Sequence, residues 1–399
     1  MSEFTNHREN RVALLLELFQ LIIRGEMNSA AFFEAKQTIE LVEPYDVITV
    51  VDQLVQLSIP MSELKKGINK GLNLLHKSLE QFPYNTPSAG SFLNILIQNN
   101  QQIDIRLKNI RPLIAAINLK RENPALRKDL IEKLTDLSRI DLHYQIKENV
   151  LFPQIEKYLP DYRCLHVMWS FHDDIRRNLK IAIELLKTSD FDLQQFNRLM
   201  GDLFFNIYAI IFREERILFP IILNLIPESV LDALIDESLE IGFPYIQAEA
   251  ILGDKKSSEP EFLGDIDLKT GYLSAEQIRL IFNHLPVDIT YVDENNKVKF
   301  FSTPEKRIFR RTNSIIGRDV KNCHPHESVN VVEQIVESFK SGEKDKASFW
   351  IQMKGELILI QYFAVRDENR RYKGVVEVSQ EITEIRNLQG ENRLLDWTS

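Results

Sequence analysis

The stretch His143–Pro153, HYQIKENVLFP, decides how the chain is read, because part of it returns 67 residues later: Glu148–Pro153 is ENVLFP and Glu215–Pro220 is ERILFP. Each copy sets a carboxylate five residues before a proline, with an aliphatic pair and a phenylalanine between them. Such a repeat suits a bundle assembled from two similar helix pairs, with Glu148 and Glu215 at equivalent depths. The copies differ where metal chemistry would be sought first. His143 stands five residues before Glu148, whereas the matching position before Glu215 is Ile210.

Around the repeat, residues 91–252 carry four long helical patterns, near 91–118, 124–157, 162–188 and 192–225, with a shorter one near 228–251. Ile95, Ile103, Leu107, Ile110 and Ile114 mark the inner face of the first. Long helices with short connections predict an antiparallel four-helix bundle over about 88–252. Upstream, residues 10–80 read as a small all-α domain of short amphipathic helices. Leu14, Leu15, Leu18, Leu21 and Ile22 share a face, and Pro44 and Pro60 sit at helix starts. Phe82–Ser91 (FPYNTPSAGS) is a turn-rich boundary.

Downstream, 253–274 is polar and irregular and reads as a linker. From 275 to 386 the period changes to alternation. Asp288–Asp293 and Lys297–Ser302 predict a hairpin with Asn295-Asn296 in its turn. Short helices are expected around Glu305–Arg311 and at Val329–Ser341, then strands at Ala347–Met353, Glu356–Val365 and Gly374–Ile382. Two strands, helices and three strands make an α+β domain. The expected fold is therefore multidomain, with two all-α parts followed by an α+β part.

Composition sets the bounds. The chain has 399 residues, 44% hydrophobic and 27% charged, enough for packed cores. Its two cysteines, Cys164 and Cys323, exclude a disulfide framework and a thiolate zinc finger. A net charge of −9 argues against nucleic acid as a partner. The opening MSEFTNHREN has no apolar segment behind basic residues. The most apolar run, Ile217–Ile226, is about half the roughly 20 residues of a membrane helix and contains Pro220. A cytoplasmic protein with no membrane partner is expected. No P-loop, dinucleotide fingerprint or Gly-x-Ser-x-Gly elbow is present.

Only eight histidines are available for metal chemistry. His143, Glu148, His172 and Glu215 come from three bundle helices, and imidazole with carboxylate suits iron, manganese or zinc. On an α-helix, however, residues five apart differ by about 140°, and Lys147 takes the better-aligned position four after His143. The competing reading makes the glutamates interhelical ion-pair partners of Arg176 or Arg213.

His143–Pro153, Val167–Arg176 (VMWSFHDDIR) and Arg213–Pro220 (REERILFP) together resemble the hemerythrin-like, or HHE cation-binding, family of four-helix bundles. The resemblance implies a non-haem iron site that handles dioxygen or related small oxidants. A branch of that family sets the bundle between an uncharacterised helical domain (the domain of unknown function 438 type), to which residues 10–80 are similar, and a C-terminal PAS domain. Here Asn94 and Asn99 stand where that branch has His and Glu, and Ile210 where it has a ligand. His143, Glu148, His172 and Glu215 then suffice for one iron ion rather than a pair.

Residues 275–385 resemble a PAS domain, a sensor fold with a five-stranded antiparallel sheet. The resemblance rests on Leu285–Asp293, Ile316–Val320, Asn322–Pro325, Phe349–Ile351 and Tyr362–Asp367. Cys323 and His324 are its candidate ligand residues, with haem as an alternative cofactor because thiolate and imidazole both ligate haem iron. The competing reading is a tight loop before the next helix.

The reading as a whole is a cytoplasmic sensor or regulatory protein rather than an enzyme. Its bundle would respond to oxygen, nitric oxide or redox state, and its PAS domain would bind a small molecule or gas, an unidentified protein partner or a second copy. The alternatives are an iron-dependent enzyme or iron-handling protein acting on peroxide or nitric oxide, and a metal-free scaffold.

Overall fold

The computed structural model describes residues 2–57, 59–119, 123–159, 163–188, 191–247, 265–324 and 326–390. It divides into two units, Met1–Lys255 and Lys256–Ser399.

In the first unit, α1 (Ser2–Arg24), α2 (Ser29–Glu40), α3 (Pro44–Val55) and α4 (Met61–Gln81) precede the bundle. Their ends follow local chemistry. Asn28 Oδ1 accepts from Ala31 N at 3.0 Å at the start of α2. Glu43 and Asp46 form a reciprocal capping box around Pro44 at the start of α3. Helices α1 and α4 meet closely because α4 carries glycine at 67 and 71: a Cβ at Gly71 would lie 2.5 Å from the Phe19 ring, and one at Gly67 2.1 Å from Ile23. The buried Asp46 carboxylate, which also caps α3, takes Arg11 Nε at 2.6 Å and so ties α1 to α3.

The bundle comprises α5 (Phe92–Leu119), α6 (Pro124–Leu137) continued by α7 (Ile140–Ile146) and α8 (Phe152–Tyr158), α9 (Cys164–Lys187), and α10 (Leu193–Arg213) continued by α11 (Phe219–Leu225). Short helices α12 (Glu228–Asp232) and α13 (Leu234–Ile241) follow. A π-helical turn, Lys147–Leu151, joins α7 to α8, and another, Glu214–Leu218, joins α10 to α11. The repeated motif explains both. Pro153 and Pro220 have no N–H for the carbonyl four residues back, and their rings crowd it. The ladder slips by one residue, so that Phe152 N–H donates to Lys147 O and Phe219 N–H to Glu214 O. One continuous apolar core runs from Val12 in α1 to Phe243 beyond α13. No single helix among the described residues is long and apolar enough to cross a membrane.

The second unit opens with a two-stranded hairpin, β1 (Asp265–Asp267) and β2 (Tyr272–Ser274), and helix α14 (Ala275–His284). Residues 253–264 of the expected linker lie outside the described residues. A five-stranded antiparallel sheet follows in the order β4-β3-β7-β6-β5, with β3 (Asp288–Asp293), β4 (Val298–Phe301), β5 (Lys346–Met353), β6 (Glu356–Arg366) and β7 (Tyr372–Glu381). Asn296 takes φ of 63° in the β3–β4 turn, the left-handed region that asparagine tolerates. Helix α15 (His326–Ser341) sets Val332, Val336 and Phe339 in the same cluster as Ile358 and Ile360 of β6, and a short helix, α16 (Thr383–Arg386), follows β7.

The helix expected around Glu305–Arg311 does not form. Asp288 Oδ2 accepts from Ile308 N at 2.9 Å and Phe309 N at 3.1 Å, and Arg307 Nε donates to Phe309 O at 2.6 Å. Side chains thus take the backbone groups that a helix would have paired.

Candidate functional site

The bundle interior brings together all four predicted residues, each among buried polar partners of the protein. His143 and His172 are fully buried, Glu148 is buried, and Glu215 is half-buried. Between them lie Lys147 and Glu214, whose side chains are 1% and 0% exposed; Lys147 Nζ donates to Glu214 Oε1 at 2.6 Å. Asn100 of α5 is the hub. Its Nδ2 donates to Glu214 Oε2 and Glu215 Oε1, each at 3.1 Å, and its Oδ1 faces His143 Nε2 at 2.9 Å. Two carboxylates on the amide nitrogen fix the orientation of Asn100, so His143 must carry its proton on Nε2.

Glu148 belongs to a second cluster. His172 Nδ1 lies 2.8 Å from Glu148 Oε1, and Arg176 reaches both carboxylate oxygens, with NH1 at 3.0 Å and NH2 at 2.9 Å. Arg176 Nε also donates to Asp141 at 2.6 Å. Tyr144 stacks on His172 with ring centroids 3.9 Å apart. Because Glu148 is an acceptor, His172 donates from Nδ1. Each histidine therefore keeps one bare ring nitrogen, His143 Nδ1 and His172 Nε2. Neither has a partner among the described residues, and the same holds for the Tyr144 hydroxyl.

The electrostatics follow from burial. Desolvation, then the Lys147 charge, holds both imidazoles well below the usual histidine range and therefore neutral. Desolvation draws the Lys147 ammonium down, with Glu214 opposing the shift most strongly. Desolvation pushes the Glu215 carboxyl up, against its bond from Asn100 and with the help of the Glu214 charge. Two protein cations, Lys147 and Arg176, already stand among the carboxylates.

The donor set, as arranged, does not fit a resident metal ion. Glu148 is held by Arg176 and His172, Glu214 by Lys147 and Asn100, and Asn100 also holds Glu215. Among the described residues no group of three or more His, Cys, Asp or Glu is placed to hold an ion. Asn99, at an expected carboxylate position, is buried and donates to Ile95 O at 3.1 Å, while Asn94 accepts from Gly90 N and Gln98 Nε2. Ile210 packs in the core. Of the ion-pair partners considered from spacing, Arg176 pairs with Glu148. Arg213 instead donates to Asn69 Oδ1 on α4.

In the second unit, Cys323 is buried with Val292, Val298, Phe301 and Ile315, and its Sγ lies 3.6 Å from Asp319 O. The neighbouring His324 imidazole is drawn down to about 3 by burial, assisted by Arg311 and Arg318. The thiol packs as a core side chain at the end of a 3-10 turn, Val320–Cys323, and His324 follows it directly.

The hemerythrin HHE cation binding domain family matches residues 91–222, and a PAS domain family matches residues 278–383. Among solved structures, a C-terminal domain from Streptococcus mutans is 34% identical and covers 32% of this chain and 98% of its own, with a TM-score of 0.30. The PAS domain of a protein from Colwellia psychrerythraea is 17% identical over 27% of this chain and 97% of its own (TM-score 0.23). A sensory box sensor histidine kinase from Vibrio cholerae is 11% identical over 27% of this chain and 90% of its own (TM-score 0.21). No curated protein matches the chain. The chain thus joins a hemerythrin HHE-type helical bundle to a C-terminal PAS domain, behind a further N-terminal helical region.

Proposed function

We propose that the chain is a cytoplasmic sensor or regulatory protein rather than an enzyme, in which the bundle interior and the PAS domain are two points of control. The observation that carries this reading is the buried network of Lys147, Glu214, Asn100 and His143 beside that of Glu148, His172 and Arg176. It is a charge-compensated core with bare acceptor nitrogens rather than an open arrangement around a reacting atom. A small molecule or gas that engages those nitrogens shifts the protein only if it binds two states with different affinity. On the PAS side, Leu280 and Ile281 of α14 and Trp350 of β5 are 41%, 48% and 68% exposed. These apolar side chains support self-association or an unidentified protein partner.

The test is analytical ultracentrifugation of the full chain. A concentration-dependent dimer that Leu280→Asp/Ile281→Asp abolishes, with the fold retained by circular dichroism, supports control by self-association. A monomer at every concentration, unchanged by nitric oxide or oxygen, removes it.

One observation favours the narrower reading, a single non-haem iron ion held by His143, Glu148, His172 and Glu215. The two neutral imidazoles each donate their N–H inward to an oxygen and keep the other nitrogen bare, the state in which imidazole ligates metal. Such an ion must displace Lys147 and Arg176 from the carboxylates. Metal analysis of protein purified without chelator decides it: near-stoichiometric iron, lost in His143→Ala/His172→Ala, supports the reading. No retained iron after supplementation leaves the metal-free core.

A further inference from the structure

Arg213, the last residue of α10, lies outside both networks. It is 7% exposed, and its guanidinium carbon sits 4.2 Å above the Phe171 ring of α9. NH2 donates to Asn69 Oδ1, while Nε and NH1 find no acceptor among the described residues. A buried guanidinium without a carboxylate is costly, because the interior replaces none of the hydration that it gave up. Burial draws its pKa down to about 9.

This charge lies where α4 and α10 leave a cleft of about 190 Å³, lined by Arg213 with Asn69, Asn73, Phe205, Ala209 and Phe212. A smaller apolar cavity of about 40 Å³, lined by Val47, Ile68 and Phe171 among others, also reaches Arg213. The remaining titratable groups at the cleft are already engaged. His76 stacks on Phe212 with its Nδ1 3.9 Å from Glu80, and the Tyr208 hydroxyl donates to Asp104 at 3.0 Å.

We propose that the cleft between α4 and α10 binds a small organic monocarboxylate whose charge balances Arg213. The lining selects that class. One unpaired cation balances one negative charge, and a dianion would bury an excess charge. Asn69 spends its oxygen on Arg213, which leaves its Nδ2 to donate, and the Asn73 amide stands at the same cleft. Phe205, Ala209 and Phe212 offer apolar walls to a hydrocarbon body, the usual division of labour in small-molecule sites. The site joins the N-terminal helices to the bundle, since Asn69 and Asn73 belong to α4 and Arg213 to α10.

The test uses the full chain with benzoate and isobutyrate, against chloride and phosphate at equal ionic strength, read by equilibrium dialysis and by melting temperature. The carboxylates should bind saturably and raise the melting temperature, as a ligand of the folded state does. Arg213→Met should remove both effects. Asn69→Asp, which supplies an internal carboxylate beside the guanidinium, should weaken benzoate binding by roughly tenfold or more, the scale of one charged hydrogen bond. Should Arg213→Met fail to fold, Asn69→Asp decides alone. Benzoate acting no better than chloride, phosphate matching benzoate, or unchanged affinity in Asn69→Asp overturns the proposal.

Discussion

Lys147 Nζ and Glu214 Oε1 are 2.6 Å apart in the bundle interior, and they occupy the same place in the two copies of the repeat, one residue before Glu148 and one before Glu215. The repeat therefore sets a cation against an anion across the bundle. Removing one member leaves the other buried and unpaired. Lys147→Met and Glu214→Leu should each destabilise the first unit by about 3–5 kcal/mol in urea unfolding. The double variant Lys147→Met/Glu214→Leu should lie much closer to wild type. A double variant as unstable as the sum of the singles would show that the pair does not act as a unit.

The two buried imidazoles give stability a sign in pH. Their folded pKa values lie well below 6.5, so the unfolded chain binds more protons as pH falls through that value. The stability they contribute is complete above pH 6.5 and is lost on acidification, by up to about 1.4 kcal/mol per pH unit for each histidine. Equilibrium unfolding between pH 7 and 5 should show this slope, and His172→Gln should reduce it by roughly one proton's worth. A slope that His172→Gln leaves unchanged would contradict the neutral assignment.

The π-helical turns trace to single prolines. In Pro153→Ala the alanine supplies an N–H to the carbonyl of Asn149, and the turn should revert toward α-helical pairing. Residues 147–151 would then rotate, withdrawing Glu148 from Arg176. A crystal structure of the variant that keeps the Phe152 to Lys147 bond would show that packing, not proline, holds the turn.

Close approach of α1 and α4 depends on two missing side chains. Gly71→Ala should cost about 1–3 kcal/mol, since its Cβ would lie 2.5 Å from Phe19. Phe19→Leu in the same chain should recover part of the loss in thermal unfolding. No loss in Gly71→Ala alone would mean that the helices separate freely.

The Cys323 thiol is packed among Val292, Val298, Phe301 and Ile315. Titrating haem into the chain should therefore give no Soret shift that depends on Cys323→Ala or His324→Ala. A shift lost in both variants would assign haem to that loop.

Much of this was legible beforehand because it is periodic. Ile95, Ile103, Leu107 and Ile110 give the inner face of α5 directly, and alternation gives β5, β6 and β7 to within two residues at either end. The Glu148–Arg176 pair also follows from the question of where a buried carboxylate finds a cation. The rest escaped for physical reasons. The angle of about 140° between His143 and Glu148 holds for an α-helix, whereas the chain passes into a π turn at Lys147. Asn100 gives no local signal, because its importance comes from two carboxylates that lie 114 and 115 residues away. The Lys147–Glu214 pair did have a signal: the repeat, extended back by one position in each copy, sets opposite charges in register. At Glu305–Arg311 the local pattern was helical, but Asp288, distant in sequence, took the backbone N–H groups.

The single apolar core that runs from Val12 through Leu72 to Phe243 has a consequence for how the chain gains and loses its structure. Helices α3 and α4 pack on the bundle and α1 packs on both of them, so hydrogen exchange should report one cooperative opening rather than two separate ones. A fragment cut to begin at residue 88 would uncover Val167, Met168, Phe171 and Ile217, which line the seam with Val47, Ile68 and Leu72. What the sequence presents as two modules in series should melt as one body.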